Sequence, residues 1–78
     1  MSPIYTIKIF DEEEIYVTEY KYDAIDFLWK RFLEYNQNLY SPYDEESLAY
    51  YRNQLEDEGW IDNFGYFKEG VRVWQKEY

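Results

Sequence analysis

From Ile4 to Phe10 the chain alternates: Tyr5, Ile7 and Ile9 fall on one side of an extended backbone, Thr6 and Lys8 on the other. A period of two marks a half-buried strand. Four consecutive acids, Asp11-Glu12-Glu13-Glu14, interrupt the run and predict a solvated turn. Ile15 to Tyr20 resumes the pattern, with Ile15 and Val17 on one face and Tyr16, Thr18 and Tyr20 on the other. The two runs therefore predict an antiparallel hairpin with an acidic tip. The period then lengthens. Ile25, Leu28, Trp29, Phe32 and Tyr35 recur at helical spacing between Ala24 and about Gln37, while Asp26, Lys30 and Glu34 form an i, i+4 charge ladder opposite. Asp23 is placed to cap this helix, with Asp26 three positions on in a loose capping box. Phe27 and Leu33 lie off the stripe and are expected to meet a second layer of core.

Residues 36–40 read as a connection. Ser41 as cap, Pro42 at the first helical position and Asp44 at the third predict the start of a second helix. It runs to about Glu58 and stops at Gly59, the residue type that closes helices in a left-handed conformation. Leu48, Tyr51 and Leu55 form its core stripe, and Glu46, Tyr50, Asn53 and Asp57 line the opposite face. Asp62-Asn63-Phe64-Gly65 is a turn by composition. Beyond it, either Tyr66-Phe67 and residues 71–75 form a hairpin across Lys68-Glu69-Gly70, or only the second piece is a strand. The last three residues are expected to fray. The order predicts one α+β domain over residues 1–78, with two amphipathic helices on one face of an antiparallel sheet.

Composition changes the picture in two ways. The chain has 78 residues, and a domain of that size buries only about 60% of its unfolded surface. Its 11 Tyr, 5 Phe and 3 Trp compensate, which predicts an aromatic core with surplus Tyr left at the surface. The second change is charge. Asp and Glu number 17 against 8 Lys and Arg, a net charge of −9, so direct binding to a phosphate backbone is not expected. No apolar run approaches the roughly 18 residues of a membrane span and no export signal opens the chain, so a cytoplasmic location without a membrane partner is expected.

Candidate chemistry is narrowed by elimination. The chain has neither Cys nor His, which removes thiolate and imidazole nucleophiles, bases and zinc ligands. The Asp11–Glu14 run lacks the alternating spacing that wraps oxygen ligands around calcium, so no metal and no cofactor are expected. Carboxylate pairs suited to acid–base work arise by chance among 17 acids, and none of the three Gly lies in a phosphate-binding motif. Catalysis is not expected. The stretch from Leu48 to Trp74 resembles the recognition helix and wing of winged-helix proteins. Its helix carries Glu46 and Asp57 where a DNA reader needs cations, with Arg52 alone on the positive side.

The acids cluster as Asp11-Glu12-Glu13-Glu14, Asp44-Glu45-Glu46 and Glu56-Asp57-Glu58, with Asp62 just beyond. Carboxylates one helical turn apart lie about 5–6 Å from each other at Cβ, within the spacing range of backbone phosphates. Helix dipoles explain Asp44 to Glu46, whereas Glu56 to Glu58 oppose the dipole at a cost of about 0.3–1 kcal/mol per exposed group. By size, acidity and lack of catalytic residues the chain resembles small phage-encoded inhibitors of bacterial defence, the anti-CRISPR proteins and other DNA mimics. That resemblance implies a stoichiometric inhibitor that covers a basic nucleic-acid-binding surface on a Cas effector or similar complex. The contact residues would be these acids together with Tyr50 and Asn53. The alternative is a small structural or regulatory interaction module, monomeric or homo-oligomeric, that uses its surface aromatics.

Overall fold

The N-terminal alternation becomes β1 (Pro3–Ile9), whose Tyr5, Ile7 and Ile9 are buried as their spacing predicts. The computed structural model describes residues 3–71, and the expectations for residues 72–78 lie outside that range. Across the acidic turn β1 pairs antiparallel with β2 (Ile15–Thr18). Its other side pairs with β4 (Gly65–Val71), which in turn pairs with β3 (Trp60–Ile61). The sheet order is β2-β1-β4-β3, so the last strand inserts between the first strand and β3.

Register decides which side of each strand is covered. Ile7 stands opposite both Tyr16 and Phe67 on the inner face, whereas Lys8 stands opposite Ile15 and Tyr66 on the outer one. Tyr16 therefore turns inward, and Ile15 and Val17 remain 59% and 55% exposed. The expected break at Lys68-Glu69-Gly70 does not occur. These residues continue β4 opposite Thr6, Tyr5 and Ile4, because pairing with β1 gives their backbone groups partners that a turn would forfeit. The hairpin lies earlier, between β3 and β4. The Phe64 N–H donates to the Ile61 carbonyl at 3.0 Å, with Asn63 in the left-handed region at φ 61°. Gly65 is required just after it, since a Cβ there would lie 2.5 Å from the Lys8 carbonyl oxygen.

Helix α1 (Lys21–Gln37) begins earlier than Asp23 predicts. The Thr18 hydroxyl accepts from the Tyr20 N–H at 3.3 Å and turns the chain there, so Tyr20 becomes the N-cap residue without a side-chain bond. Asp23 is inside the first turn, where it still opposes the positive end of the helix dipole. Ile25, Leu28 and Phe32 are buried. Phe27 meets the second layer expected of it by packing on Tyr16 at 4.6 Å between ring centroids.

Helix α2 (Glu45–Glu58) starts later than Ser41-Pro42 predicts, and its cap is Asp44, whose carboxylate accepts from the Ser47 N–H at 2.9 Å. The cause is tertiary. Buried Asn36 accepts the Tyr43 N–H at 2.8 Å, and the Tyr43 ring stacks on Phe32, which holds residues 41–43 in the loop. At the other end Gly59 adopts φ 89° and donates to Leu55, as its position predicts. The core centres on Phe32, whose ring lies 5.3–6.2 Å from those of Trp29, Tyr35, Tyr43, Tyr51 and Phe64. Leu28, Leu55 and Ile61 complete it. Both helices cover the same sheet face: α1 packs on β1, β2 and β4, and α2 on β3 and α1.

Candidate functional site

Topology separates the acidic clusters. The Asp11–Glu14 tip joins β1 to β2 at one edge of the sheet, and α2 lies along β3 at the other. The tip and the α2 acids are therefore on opposite flanks.

At the tip, two of the four acids are engaged. Glu12 forms a salt bridge with Arg31, its carboxylate accepts from the Tyr16 hydroxyl at 2.7 Å, and its carbonyl accepts from the Lys8 ammonium. The Tyr16 hydroxyl also lies 2.9 Å from Glu14. These carboxylates hold the Tyr16 phenol above its ordinary pKa, the Glu12 bond first and the Glu14 bond second. Arg31 lies over the Phe27 ring at 4.9 Å and the Tyr16 ring at 5.4 Å. The linkage spans 19 residues of sequence and ties the turn to α1, a role with no local signal. Asp11 and Glu13 point to solvent.

On α2 the acids divide in the same way. Asp44 caps the helix, and the Ser47 N–H holds its carboxyl below the usual range. Glu45 and Glu46 occupy the first turn, where the dipole favours them. Glu56 accepts from Arg52 at 2.6 Å, and Arg52 also lies 5.4 Å over the Trp29 ring. Asp62 exchanges two bonds with Gln54: its N–H reaches the Gln54 carbonyl oxygen at 3.2 Å and its carboxylate receives the Gln54 amide at 3.4 Å. Asp57 and Glu58 have neither a salt bridge nor a side-chain hydrogen bond among the described residues. Lys21 and Lys68 line the same shallow cleft as this pair but stay beyond ion-pair distance.

The outer face of α2 is continuous. Glu46, Tyr50, Asn53 and Asp57 are all exposed, at positions that span about 16 Å of helix axis. Tyr50, Asn53, Gln54, Asp57 and Glu58 line one open groove along it. Tyr50 lies edge-on to Tyr51 at 5.3 Å. Tyr51 packs against the Tyr43 ring at 5.1 Å, and the neighbouring Tyr43 phenol raises the Tyr51 phenol above its ordinary value, with burial adding to the shift. An exposed ring beside carboxylates that have no salt bridge among the described residues suits contact with a cationic protein surface. None of the candidate acids is buried, so no water-excluding site forms around them. Among the described residues no group of three or more acids is arranged to hold a metal ion.

A second concentration of side chains escaped the sequence reading. On the outer sheet face Phe10, Trp60 and Tyr66 line a cleft with Asp62 at its margin. The signal was obscured because these aromatics come from three separate strands or strand ends, and only the β1–β4–β3 register assembles them. Among the described residues no helix is long and apolar enough to cross a membrane. The chain matches no known family model, no curated protein and no solved structure.

Proposed function

We propose that this is a non-enzymatic binding protein that inhibits by covering a basic nucleic-acid-binding surface of a protein partner, such as the effector complex of a bacterial defence system. The working surface is the outer face of α2, with Asp57 and Glu58 at its end and Tyr50 and Asn53 along it. One observation carries the reading: two carboxylates stand in the last turn of a helix, against its dipole, with no salt bridge or side-chain hydrogen bond among the described residues. The Asp11–Glu14 tip contributes long-range field and not direct contact, because it lies on the other flank.

The test is binding to a nucleic-acid-free Cas effector across a salt series, comparing the natural chain with Asp57→Lys/Glu58→Lys. Screening length falls from about 10 Å at 0.1 M salt to about 3 Å at 1 M, so the natural chain should lose affinity steeply while the variant starts weak and changes little. Equal affinity for the two chains at low salt refutes the proposal.

A second reading has its own observation. Among the described residues no helix covers the outer sheet face, which exposes Phe10, Ile15, Val17 and Trp60. An interface built there would make the chain a homo-oligomer that uses aromatics and aliphatics. Solution mass separates the readings: a dimer lost on Ile15→Lys/Val17→Lys supports the second, and a monomer eliminates it.

A further inference from the structure

We infer that the cleft between Phe10, Trp60 and Tyr66 accepts the guanidinium of an arginine side chain presented by a protein partner, with Asp62 as its counter-charge. This goes beyond the α2 reading, and its test requires no partner protein.

Backbone pairing builds the walls. Trp60 stands opposite Tyr66 in the β3–β4 register, and both are on the sheet face away from the helices. Phe10 follows β1 and is pinned by its N–H to the Phe64 carbonyl at 2.8 Å, which brings its ring 6.0 Å from Tyr66. Gly65 also lines the cleft, although a Cβ on it would turn to the inner face, toward Leu28. Phe10 and Trp60 remain 53% and 45% exposed.

Size limits the occupant. The cleft measures about 230 Å³, whereas small-molecule sites run roughly 300–1,000 Å³. It suits one long side chain better than a metabolite. Charge then selects the kind of side chain. Aromatic faces carry negative quadrupole potential and attract cations, and the exposed Asp62, whose carboxylate accepts from Gln54, is among the lining residues. The nearest cation in register, Lys8, directs its ammonium to the Glu12 carbonyl. Between the two long cations, arginine fits better because its planar, weakly hydrated guanidinium stacks on rings and bonds a carboxylate with a fork of donors.

The Asp62–Gln54 pair links this cleft to the α2 groove, which Gln54 also lines. A basic partner seated on α2 therefore has an anchoring point at the β3 edge. Both Asp62–Gln54 bonds also hold Asp62 in place before any ligand arrives, which limits the ordering that binding must impose.

The test is an amide and indole NMR titration of the full chain with N-acetyl-arginine amide, against the uncharged isostere N-acetyl-citrulline amide. Saturable shifts are expected at the Trp60 indole and at the amides of Asp62, Asn63 and Tyr66. The citrulline derivative should bind about 3- to 30-fold more weakly, the range a partly desolvated cation–π contact supplies. Asp62→Asn, which retains the amide oxygen for Gln54, should weaken arginine binding while leaving the citrulline response unchanged. Trp60→Ala should abolish both, with the remaining amide spectrum reporting that the fold is intact. Asp57→Lys/Glu58→Lys should leave the titration unchanged, so this site and the α2 surface succeed or fail separately. Equal binding of the two probes, or arginine shifts confined to the α2 acids, overturns the inference.

Discussion

Neutralising Asp57 and Glu58 should make the protein more stable. The carbonyls that end α2 amount to about half a negative charge, and both carboxylates lie within that last turn. The double change Asp57→Asn/Glu58→Gln keeps side-chain shape and nearly keeps helix propensity, so the electrostatic term dominates the difference. At about 0.3–1 kcal/mol per group the pair costs about 0.6–2 kcal/mol. Lys21 and Lys68 beside the same cleft recover part of that, which favours the lower half of the range. For a domain of this size 1 kcal/mol corresponds to about 4–8 °C in Tm, so a rise of about 2–10 °C is expected. Glu56→Gln is the internal control. It removes a similar clash with the dipole but also the Arg52 pair, worth about 0.3–0.5 kcal/mol, and should change Tm little. Thermal unfolding followed by circular dichroism, at low salt and at 1 M, reads both quantities. A Tm that stays put or falls at low salt refutes the reasoning, and a gain that survives 1 M salt in full assigns it to something other than charge.

Three further outcomes follow from the packing. Leu55→Ala removes a fully buried side chain from α2 and should cost about 2–5 kcal/mol in urea unfolding. Among the glycines, Gly59→Ala should lose about 1–2 kcal/mol because φ is 89°, and Gly65→Ala should lose more because its Cβ meets the Lys8 carbonyl. Gly70→Ala has open space and should be neutral in the same denaturation series. For Asp44 the folded carboxyl titrates below its unfolded value, so its contribution is present above about pH 4 and is lost as pH falls through the folded pKa. Stability curves of the natural chain and Asp44→Ala should converge in acid, and parallel curves would exclude a capping charge.

Elements whose reason is local were legible. The alternation of Tyr5, Ile7 and Ile9, the Ile25, Leu28 and Phe32 part of the α1 stripe and the Gly59 stop are each set by backbone period or left-handed geometry and appear where they were expected, whereas Trp29 is half-buried and Tyr35 is exposed at the stripe's margin. The exposed line Glu46, Tyr50, Asn53 and Asp57 also appears as expected, because the side opposite a core stripe faces water. Errors arose where two local signals competed and a distant residue decided. Ser41-Pro42 and Asp44 are both sound helix starts, and Asn36 with Phe32 selects the second. Lys68-Glu69-Gly70 reads as a turn until β1 offers it a complete edge to pair with. In the candidate site, the Glu12–Arg31 and Asp62–Gln54 links are contacts across 19 and 8 positions, which no period encodes. The Phe10–Trp60–Tyr66 cleft needs three strands in register before it exists.

Net charge alone is therefore a poor guide to this surface. Glu12 and Glu14 organise the hairpin tip, Asp44 to Glu46 satisfy a helix start, Glu56 pairs with Arg52, and Asp62 ties β3 to α2. Each would be expected in a protein with no partner. Asp57 and Glu58 make no salt bridge or side-chain hydrogen bond within the described residues, in a domain small enough that 1 kcal/mol matters. They also sit beside Tyr50 and Asn53, the exposed side chains that give a charged patch shape. A variant that keeps the net charge of −9 but moves these two carboxylates to the Asp11–Glu14 flank would keep the long-range attraction to a basic partner. It should associate at nearly the natural rate and dissociate faster, because steering depends on total field whereas residence depends on the fitted contact.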